Sequence, residues 1–533
     1  MRFLVTLFVW LVVSVTTPAF SQTLEDLLPQ LPEGDYDDRA EVIRAIAVTG
    51  DERALAVLRA LGDRDLHVRE SDGAILIVTG SRSNQVGTDP LTGADLGPVE
   101  RRTTDAIRIN NSLRRVIAAA IGTLNLTNPN PARRLSAANA AFDAPDPDQI
   151  EALETALEVE EDSEIRRALE QARARTLLET DAPTDIKVEA IDMVASKGGN
   201  AALAALGAYR NSDDPAIAEA AEEAIAGIER KRAMWAQAQN IWFGLSLGSV
   251  LLLAAVGLAI TFGVMGVINM AHGELIMLGA YTTFMVQEVI RTSAPWLFDY
   301  SLLIATPAAF LVAGAVGVGI ERGIVRHLYG RPLETLLATW GVSLILQQSV
   351  RTIFGPTNQE VGNPSWMSGA FQFGEMTVTW NRFYIIIFAI VVFVALLTLL
   401  RRTALGLQMR AVTQNRAMAS EMGIPTGRVD ALTFGLGAGI AGLAGVALSQ
   451  IDNVSPNLGQ TYIIDSFLVV VFGGAGNLWG TFAAAFSLGI ANKFLEPYAG
   501  AVLGKILILV FIILFIQKRP RGLFPQRGRA VEG

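Results

Sequence analysis

The chain has 533 residues, of which 51% are hydrophobic and 18% charged, with no cysteine and a formal net charge of −9. The absence of cysteine excludes a disulfide scaffold, thiol catalysis and a cysteine-based zinc site. The three histidines, His67, His272 and His327, are far apart in sequence, so we expect neither a metal centre nor a cofactor.

The charge is divided unevenly along the chain. Residues 22–232 contain 39 acidic and 24 basic residues, whereas residues 233–533 contain 13 acidic and 18 basic residues. A water-soluble acidic domain therefore precedes an apolar, weakly basic one. The acidic domain argues against nucleic acid as a partner, because binding phosphate requires clustered Lys and Arg.

The first segment has the pattern of a secretory signal. Arg2 precedes an apolar run over residues 3–15, and small residues follow at Ala19 and Ser21. This pattern predicts a signal peptide over residues 1–21, cleaved before Gln22. An uncleaved signal anchor is the alternative. In either case residues 22–232 are exported, which places them in the periplasm of a bacterial cell.

The exported domain is predicted to be helical. Apolar residues recur at helical spacing, and the segment from Asp162 to Ala172 has the same offsets as the segment from Asp214 to Ala224. Asp at each helix start and a repeat of roughly 50 residues favour stacked helix pairs in a HEAT-like array. The β-branched run over residues 74–79 and the Gly/Asp-rich residues 80–98 interrupt the helices as a loop or hairpin.

The second domain, residues 233–533, has the pattern of a polytopic membrane protein. Apolar stretches close to the ~20 residues that cross a bilayer alternate with short polar loops, and we expect eight to ten crossings. The fold class is therefore all-α. The candidate spans are residues 241–262, 273–290, 301–320, 334–351, 383–400, 429–449, 462–473, 480–495 and 501–516.

Loop charges predict the orientation of these spans. With residue 233 outside, the inside loops and the C-terminal tail hold 13 of the 18 basic residues of this half. The positive-inside rule therefore agrees with an exported N-terminal domain and a cytoplasmic C-terminus.

Glycines and polar residues interrupt the apolar pattern at two places. The segment of residues 263–275 contains Asn269, His272 and Glu274, and the segment of residues 472–480 contains Gly473, Gly474 and Asn477. Interrupted membrane helices indicate a translocation pathway, and a carboxyl group at membrane depth needs a partner or water. The alternatives are hydrogen bonds that only bridge helices, and glycines that only allow close packing.

A third feature is the polar loop of residues 405–424. It is predicted to form a short amphipathic helix that ends at Gly423 and is too polar to span a membrane. Its place on the basic side suits docking to a cytoplasmic partner, or alternatively a position among lipid head groups. The G-x-G-x-x-G pattern at residues 437–442 lies inside an apolar span, so it indicates helix packing.

These three segments together resemble the branched-chain amino-acid/urea permease family of ABC importers. The resemblance covers roughly residues 240–525 and rests on residues 266–280, 410–417 and 473–480, in family order. The exported extension is similar to that of the longer urea-transporting permease subunits. The resemblance therefore implies a permease for urea, with short-chain amides or branched-chain amino acids as alternatives.

The resemblance also implies partners. They are a second homologous permease subunit, two cytoplasmic ATPases and a periplasmic substrate-binding protein. The chain has no Walker A motif, since Gly504-Lys505 is followed by Ile506, so we expect no enzyme activity of its own. By family analogy, residues 405–424 couple to the ATPase. The residues implied in that contact are Arg410, Asn415, Arg416 and Gly423.

The implied mechanism is alternating access. Urea loses hydrogen bonds to water on entry, so a pathway must replace them without stalling release. The candidate lining consists of Asn269, His272, Glu274, Gly473, Gly474 and Asn477. A membrane-anchored sensor is a distant alternative, because a sensor usually has few spans and a cytoplasmic output domain.

Overall fold

The structure, a computed structural model, describes residues 23–81, 84–99 and 103–524. The predicted signal peptide lies outside the described residues. The chain divides into two compact units, and the boundary falls between Arg232 and Ala233. Each unit is described separately below.

The first unit is built mainly of helices. They are α1 (Leu24–Leu27), α2 (Tyr36–Val48), α3 (Ala54–Asp63), α4 (Asn111–Leu126), α5 (Pro131–Asp143), α6 (Ile150–Val159), α7 (Ser163–Leu177), α8 (Thr184–Lys197), α9 (Gly199–Gly207) and the start of α10 (Pro215–Met265). From α4 onward, helices near in sequence pack on one another, as α5 does on α7 and α7 on α8.

The predicted helix starts in this unit are confirmed. The Asp162 carboxylate accepts hydrogen bonds from the backbone of Glu164 and Ile165, and so caps α7. Asp214 accepts from the Ala216 backbone at 3.0 Å, directly before Pro215 begins α10. Side-chain oxygens there satisfy amides that have no partner inside the helix. The HEAT-like array itself stays a prediction.

A five-stranded antiparallel sheet departs from the all-α prediction. Its strands are β1 (Leu66–Arg69), β2 (Ile75–Ser81), β3 (Asn84–Thr88), β4 (Asp95–Pro98) and β5 (Thr104–Ala106), in the order β4-β3-β2-β1-β5. The predicted loop or hairpin is thus part of a sheet, because the β-branched residues of β2 favour extended backbone. Leu76 and Val78 point from β2 into buried surroundings.

The second unit contains the apolar helices. After α10 come α11 (His272–Ser293), α12 (Ser301–Gly323), α13 (Pro332–Phe354), α14 (Trp380–Arg402), α15 (Ala404–Gln414), α16 (Arg416–Glu421), α17 (Thr426–Leu448), α18 (Leu458–Gly473) and α19 (Leu478–Lys518). A hairpin of β6 (Ala370–Phe373) and β7 (Met376–Thr379) precedes α14.

Five helices of the described residues are long and apolar enough to cross a membrane. They are α10, α12 together with the turn that precedes it, α14, α17 and α19. Helices α11 and α13 also have 22 and 23 residues, but polar side chains lower their hydropathy. The 41-residue α19 covers two predicted spans and bends at Gly500, whose φ is 75°. The expected eight to ten crossings stay a prediction.

Helix α17 lies at the centre of the second unit. It packs most extensively on α12 and α11 and is buried along almost its whole length. A Cβ on Gly442 would lie 2.5 Å from the Ala309 carbonyl oxygen, and one on Gly445 would lie 2.6 Å from the Ala280 nitrogen. The backbones therefore touch where the glycines lie, which confirms helix packing as the role of this glycine-rich segment.

We predict that Gly442→Ala destabilises the second unit. The added methyl group overlaps the Ala309 carbonyl and forces two buried helices apart, which costs about 2 kcal/mol or more. The measurement is the midpoint of unfolding of the purified protein in detergent.

Gly319→Ala on α12 is the matched control. A Cβ at Gly319 meets no atom within 4 Å, so this variant should keep the wild-type midpoint or exceed it slightly. Equal midpoints for Gly442→Ala and the control would contradict the close-packing account.

Candidate functional site

The backbone between α10 and α11 leaves the helical path at residues 266–271. Gly266 adopts a φ of 68°, which an L side chain rarely takes. The Thr339 hydroxyl from α13 accepts from the Met270 amide at 3.1 Å and donates to the Ile268 carbonyl at 3.3 Å. A side chain on a neighbouring helix therefore satisfies backbone groups that the break leaves free, as irregular backbone at membrane depth requires.

The three predicted polar residues of this break are all buried. The Ala271 amide donates to the Asn269 side-chain oxygen, and His272 Nε2 donates to the Ala254 carbonyl oxygen at 2.8 Å. The Ser343 hydroxyl donates to one oxygen of Glu274 at 3.1 Å. Helix bridging is thus part of their role. Each still keeps one polar atom without a hydrogen-bond partner among the described residues, namely Asn269 Nδ2, His272 Nδ1 and Glu274 Oε2.

The second oxygen of Glu274 lies at the amino end of α18. A Cβ on Gly459, one residue into that helix, would be 2.8 Å from Glu274 Oε2. The amino end of a helix carries partial positive charge, which favours a carboxylate there. One oxygen of the buried Glu274 thus accepts from a hydroxyl, and the other lies beside a helix terminus without a hydrogen-bond partner among the described residues.

A polar stripe on α13 was missed in the sequence. Thr335, Thr339, Ser343 and Gln347 recur every four residues and are all buried. The opposite face carries exposed apolar side chains, with Leu333 78% and Leu337 63% exposed. The helix is thus polar inward and apolar outward, the reverse of a soluble helix. The four-residue spacing of hydroxyl and amide residues was the signal that could have revealed it.

The stripe continues to the start of α18. Gln347 Nε2 donates to the side-chain oxygen of Asn457 at 3.1 Å, and Arg351 donates to the same oxygen at 2.9 Å. Gln460 reaches back to Gln347 at 3.4 Å. Together with Thr335, Thr339, Ser343 and Glu274, these residues form a row of polar side chains between α11, α13 and α18, which we call the polar track.

The second break meets the first segment at one point, since a Cβ on Gly263 would lie 2.5 Å from the Cα of Gly476. Asn477 caps α19 by accepting from the Trp479 and Gly480 amides, each at 3.1 Å, and its Nδ2 donates to the Phe524 carbonyl oxygen. The Phe524 amide donates to the Gly473 carbonyl at 3.2 Å, and Gly474 has a φ of 102°. Residues 519–524 therefore cover this break.

The predicted pathway residues thus fall into two groups. Asn269 borders one cavity, of about 260 Å³, and Asn477 borders another, of about 460 Å³, together with Arg410. Asn269, His272 and Glu274 make up the first group, and Gly473, Gly474 and Asn477 make up the second. That both groups contact the substrate stays a prediction.

The polar loop forms two helices where one was predicted. Asn415 adopts an extended backbone between α15 and α16, and its side chain caps α16 by accepting from the Met418 amide at 3.0 Å. The predicted stop is confirmed, since Gly423 has a φ of 82° directly after α16. The exposed Arg410 on α15 donates to the Leu400 carbonyl of α14, which joins the two helices.

Arg416 turns inward to a buried carboxylate. Its guanidinium lies 2.5 Å from Asp430 Oδ2, and the Asp430 side chain is fully buried in the first turns of α17. The same guanidinium lies 4.5 Å from the centre of the Tyr329 ring. Arg416 therefore anchors α16 on α17, and a contact of Arg416 with an ATPase stays a prediction.

A second buried carboxylate completes this cluster. The Tyr329 hydroxyl donates to Glu321 at 3.0 Å, and Arg326 lies 3.6 Å from the other Glu321 oxygen. Burial, together with the charges of Asp430 and Glu321, raises the pKa of Tyr329, so its hydroxyl stays protonated and can donate. We call Glu321, Arg326, Tyr329, Arg416 and Asp430 the arginine–carboxylate cluster. It joins α12, α16 and α17.

Comparison with known proteins identifies the family of the second unit. Residues 240–516, more than half of the chain, match the family described as branched-chain amino acid transport system / permease component. The chain belongs to this family.

Relatives of the permease cover the same region. The high-affinity branched-chain amino acid transport system permease protein BraD of Pseudomonas aeruginosa is 30% identical over 292 residues, which is 54% of this chain and 94% of BraD. The permease protein LivH of the corresponding Escherichia coli K12 system is 31% identical over 295 residues, which is 54% of this chain and 94% of LivH. No solved structure matches the permease.

We predict that Arg416→Met destabilises the permease and that adding Asp430→Leu restores most of the loss. The single change leaves a buried carboxylate without its cation, whereas the double change removes both charges. Because the Arg416 side chain is 43% exposed, solvent screens part of the effect, and we expect a loss of about 2 kcal/mol. The measurement is the unfolding midpoint in detergent.

Arg428→Met is the control for this pair. Arg428 is exposed two residues before Asp430, so its loss should change the midpoint little. Additive effects of Arg416→Met and Asp430→Leu would show that the two side chains do not interact in the folded permease.

Proposed function

We propose that the chain is the membrane-spanning subunit of an ATP-driven importer and that its substrates are branched-chain amino acids. The observation that carries this proposal is the family match over residues 240–516. BraD and LivH, which are named for branched-chain amino acid transport, align over 94% of their own lengths, so the second unit corresponds to nearly all of each relative.

The geometry of the second unit supports a transport role. Polar side chains in lipid are costly unless they face protein or a wet path. Glu274 and the polar stripe of α13 are buried, while the outer face of α13 is apolar. Such a track offers hydrogen bonds to a solute that gives up water on entry.

Urea is the second candidate substrate. The favouring observation is the first unit, which lies outside the family match over residues 240–516. The extension is similar to that of the longer urea-transporting permease subunits, which is why the sequence predicts urea as the first candidate. The named substrates of the relatives favour amino acids, so urea stays a prediction that needs its own test.

We propose the partners that the sequence predicted. The permease protein LivM of Escherichia coli K12 is 22% identical over 52% of this chain and 69% of LivM, which supports a second, related permease subunit. Two ATPases and a periplasmic binding protein would complete the importer. The complex would lie in the bacterial inner membrane, with the first unit periplasmic and the C-terminus cytoplasmic.

In the proposed importer, α15 and α16 form the contact with the ATPase. Arg410 is exposed on α15, and Asn415 and Gly423 shape the ends of α16. Arg416 connects α16 to α17 through its ion pair with Asp430. Movement of the ATPases would therefore reach the membrane helices through the arginine–carboxylate cluster.

Deleting the gene should abolish saturable uptake of labelled leucine, isoleucine and valine at micromolar concentration. The measurement is initial uptake in cells that lack other branched-chain amino acid carriers and lack urease, so that urea is not trapped metabolically. Restoring the gene on a plasmid is the control, because it excludes an effect on neighbouring genes.

The same strains distinguish the two substrates. If deletion removes urea uptake and leaves leucine uptake unchanged, the urea proposal replaces the amino acid proposal. If uptake of both solutes is unchanged, the chain is not the permease of an importer for either.

Arg410→Ala should lower uptake per ATP hydrolysed at least severalfold. Its guanidinium joins α15 to the end of α14, so its loss loosens the proposed ATPase contact without touching the polar track. The measurements are ATP hydrolysis and uptake by the reconstituted importer. Arg402→Ala, at the exposed end of α14, is the matched control, and an equal loss in both variants would contradict a specific role for Arg410.

A further inference from the structure

The cavity that Asn477 borders lies between α15 and the helices α10, α14 and α19. Its volume is about 460 Å³, within the roughly 300–1,000 Å³ of pockets that bind small molecules. Arg401 of α14 and Arg410 of α15 are the charged side chains in its wall, which contains no carboxylate among the described residues. The cavity therefore carries an excess of positive charge.

The two arginines keep hydrogen-bond donors for a ligand. Arg410 donates to the carbonyl oxygen of Leu400, the residue before Arg401, so both guanidinium groups lie at the same end of α14. Neither has an ion-pair partner among the described residues. A guanidinium has five N–H donors in a planar fork, and this fork matches the oxygens of a phosphate group. The pair therefore favours a phosphate anion.

The rest of the wall is mainly apolar. It includes Ile260 and Val264 of α10, Leu397 of α14 and Leu478 of α19. A free phosphate ion would leave this apolar surface without a partner. An amino acid would bring an ammonium group, for which the wall offers no carboxylate. A phosphate that is joined to a hydrocarbon chain satisfies both parts of the wall, because apolar surface is stabilised by contact with hydrocarbon.

The cavity lies at the end of a helix that is able to span the membrane. Arg401 belongs to the last turn of α14, which is strongly apolar and mostly exposed along its length. Trp479, also in the wall, is 51% exposed and packs edge-on against Phe393 of α14, with 5.6 Å between the ring centres. Trp and the basic residues at helix ends prefer the level of the lipid head groups. A phospholipid can therefore reach the cavity from the bilayer.

We propose that this cavity binds an anionic phospholipid, with its phosphate at Arg401 and Arg410 and an acyl chain along the apolar wall. Basic pockets between membrane helices bind lipid head groups by the same chemistry. In the proposed orientation the lipid belongs to the cytoplasmic leaflet, and it joins α14 to α15, the helix that is proposed to contact the ATPase. Binding does not depend on which solute the permease carries, so it is tested without transport.

Arg401→Gln tests the phosphate contact. The probe is phosphatidylglycerol, and native mass spectrometry of the full-length chain in detergent measures its affinity as the lipid is titrated. Loss of one of the two guanidinium groups should weaken binding about fivefold. Phosphatidylcholine with the same acyl chains should bind the wild-type chain at least fivefold more weakly than phosphatidylglycerol, because its head group has no net charge.

Arg402→Gln is the matched control. Arg402 is the next residue, is exposed and carries the same charge, but it does not line the cavity. This variant should keep the wild-type affinity. Arg401→Lys retains the charge and should keep most of the affinity, which distinguishes a lost contact from a damaged fold. Equal losses in Arg401→Gln and Arg402→Gln would show a general attraction of this helix end for anionic lipid and would overturn the site.

Thiol labelling tests the position of the lipid. Since the chain contains no cysteine, Gln414→Cys places its only thiol at an exposed position in the cavity wall. Phosphatidylglycerol should slow the reaction of this thiol with a water-soluble maleimide severalfold, whereas phosphatidylcholine and inorganic phosphate should not. Ser420→Cys, exposed on α16 and outside the cavity wall, is the control and should react at the same rate under all three conditions.

The outcomes separate this inference from the proposed function. If inorganic phosphate protects Gln414→Cys as well as phosphatidylglycerol does, the cavity is a site for a free anion and the lipid proposal is overturned. Equal protection by both lipids, protection by neither, or a thiol that does not react without lipid also overturns it. None of these results concerns uptake. An importer that carries neither leucine nor urea would contradict the proposed function and leave the lipid site standing.

Discussion

The membrane unit depends on how closely its helices approach α17. The hydrophobic effect does not draw helices together in lipid, so their association relies on van der Waals contact and on hydrogen bonds. Gly437, Gly442 and Gly445 bring α17 to within backbone contact of α10, α12 and α11 respectively. Any side chain at these positions would separate elements that the rest of the unit needs together.

This packing connects the two functional regions. Near its start, α17 buries Asp430, which pairs with Arg416 of α16. Farther along, its glycines fix α11, which carries Glu274 into the polar track. A displacement at α16 therefore acts on a helix whose other contacts fix the position of Glu274. Interfaces packed this closely tend to switch between discrete arrangements, because they cannot deform continuously.

The substrate question follows from the chemistry of the two polar regions. The polar track of Ser343, Gln347 and Glu274 could stabilise many small solutes that carry hydrogen-bonding groups. The cavity beside Asn269 has an almost wholly apolar wall instead. An apolar wall favours the aliphatic group of a branched-chain amino acid, which urea lacks.

The sequence by itself determined most of the helices and several of their ends, but not the five-stranded sheet. Composition separated an acidic domain from an apolar one, Asp162 and Asp214 marked helix starts, and Gly423 marked a helix end. These features are local, since a cap or a glycine with positive φ acts within one turn of chain. The motifs around Asn269 and Asn477 likewise predicted the two breaks.

Only the tertiary structure decided which of these elements meet. It placed the α13 stripe against Glu274, separated Asn477 from Asn269, and turned Arg416 inward to Asp430. These arrangements involve residues that are not neighbours in sequence, and each arrangement depends on the packing of many helices. Periodicity shows that a helix has a polar face, but the packing of its neighbours determines what that face contacts.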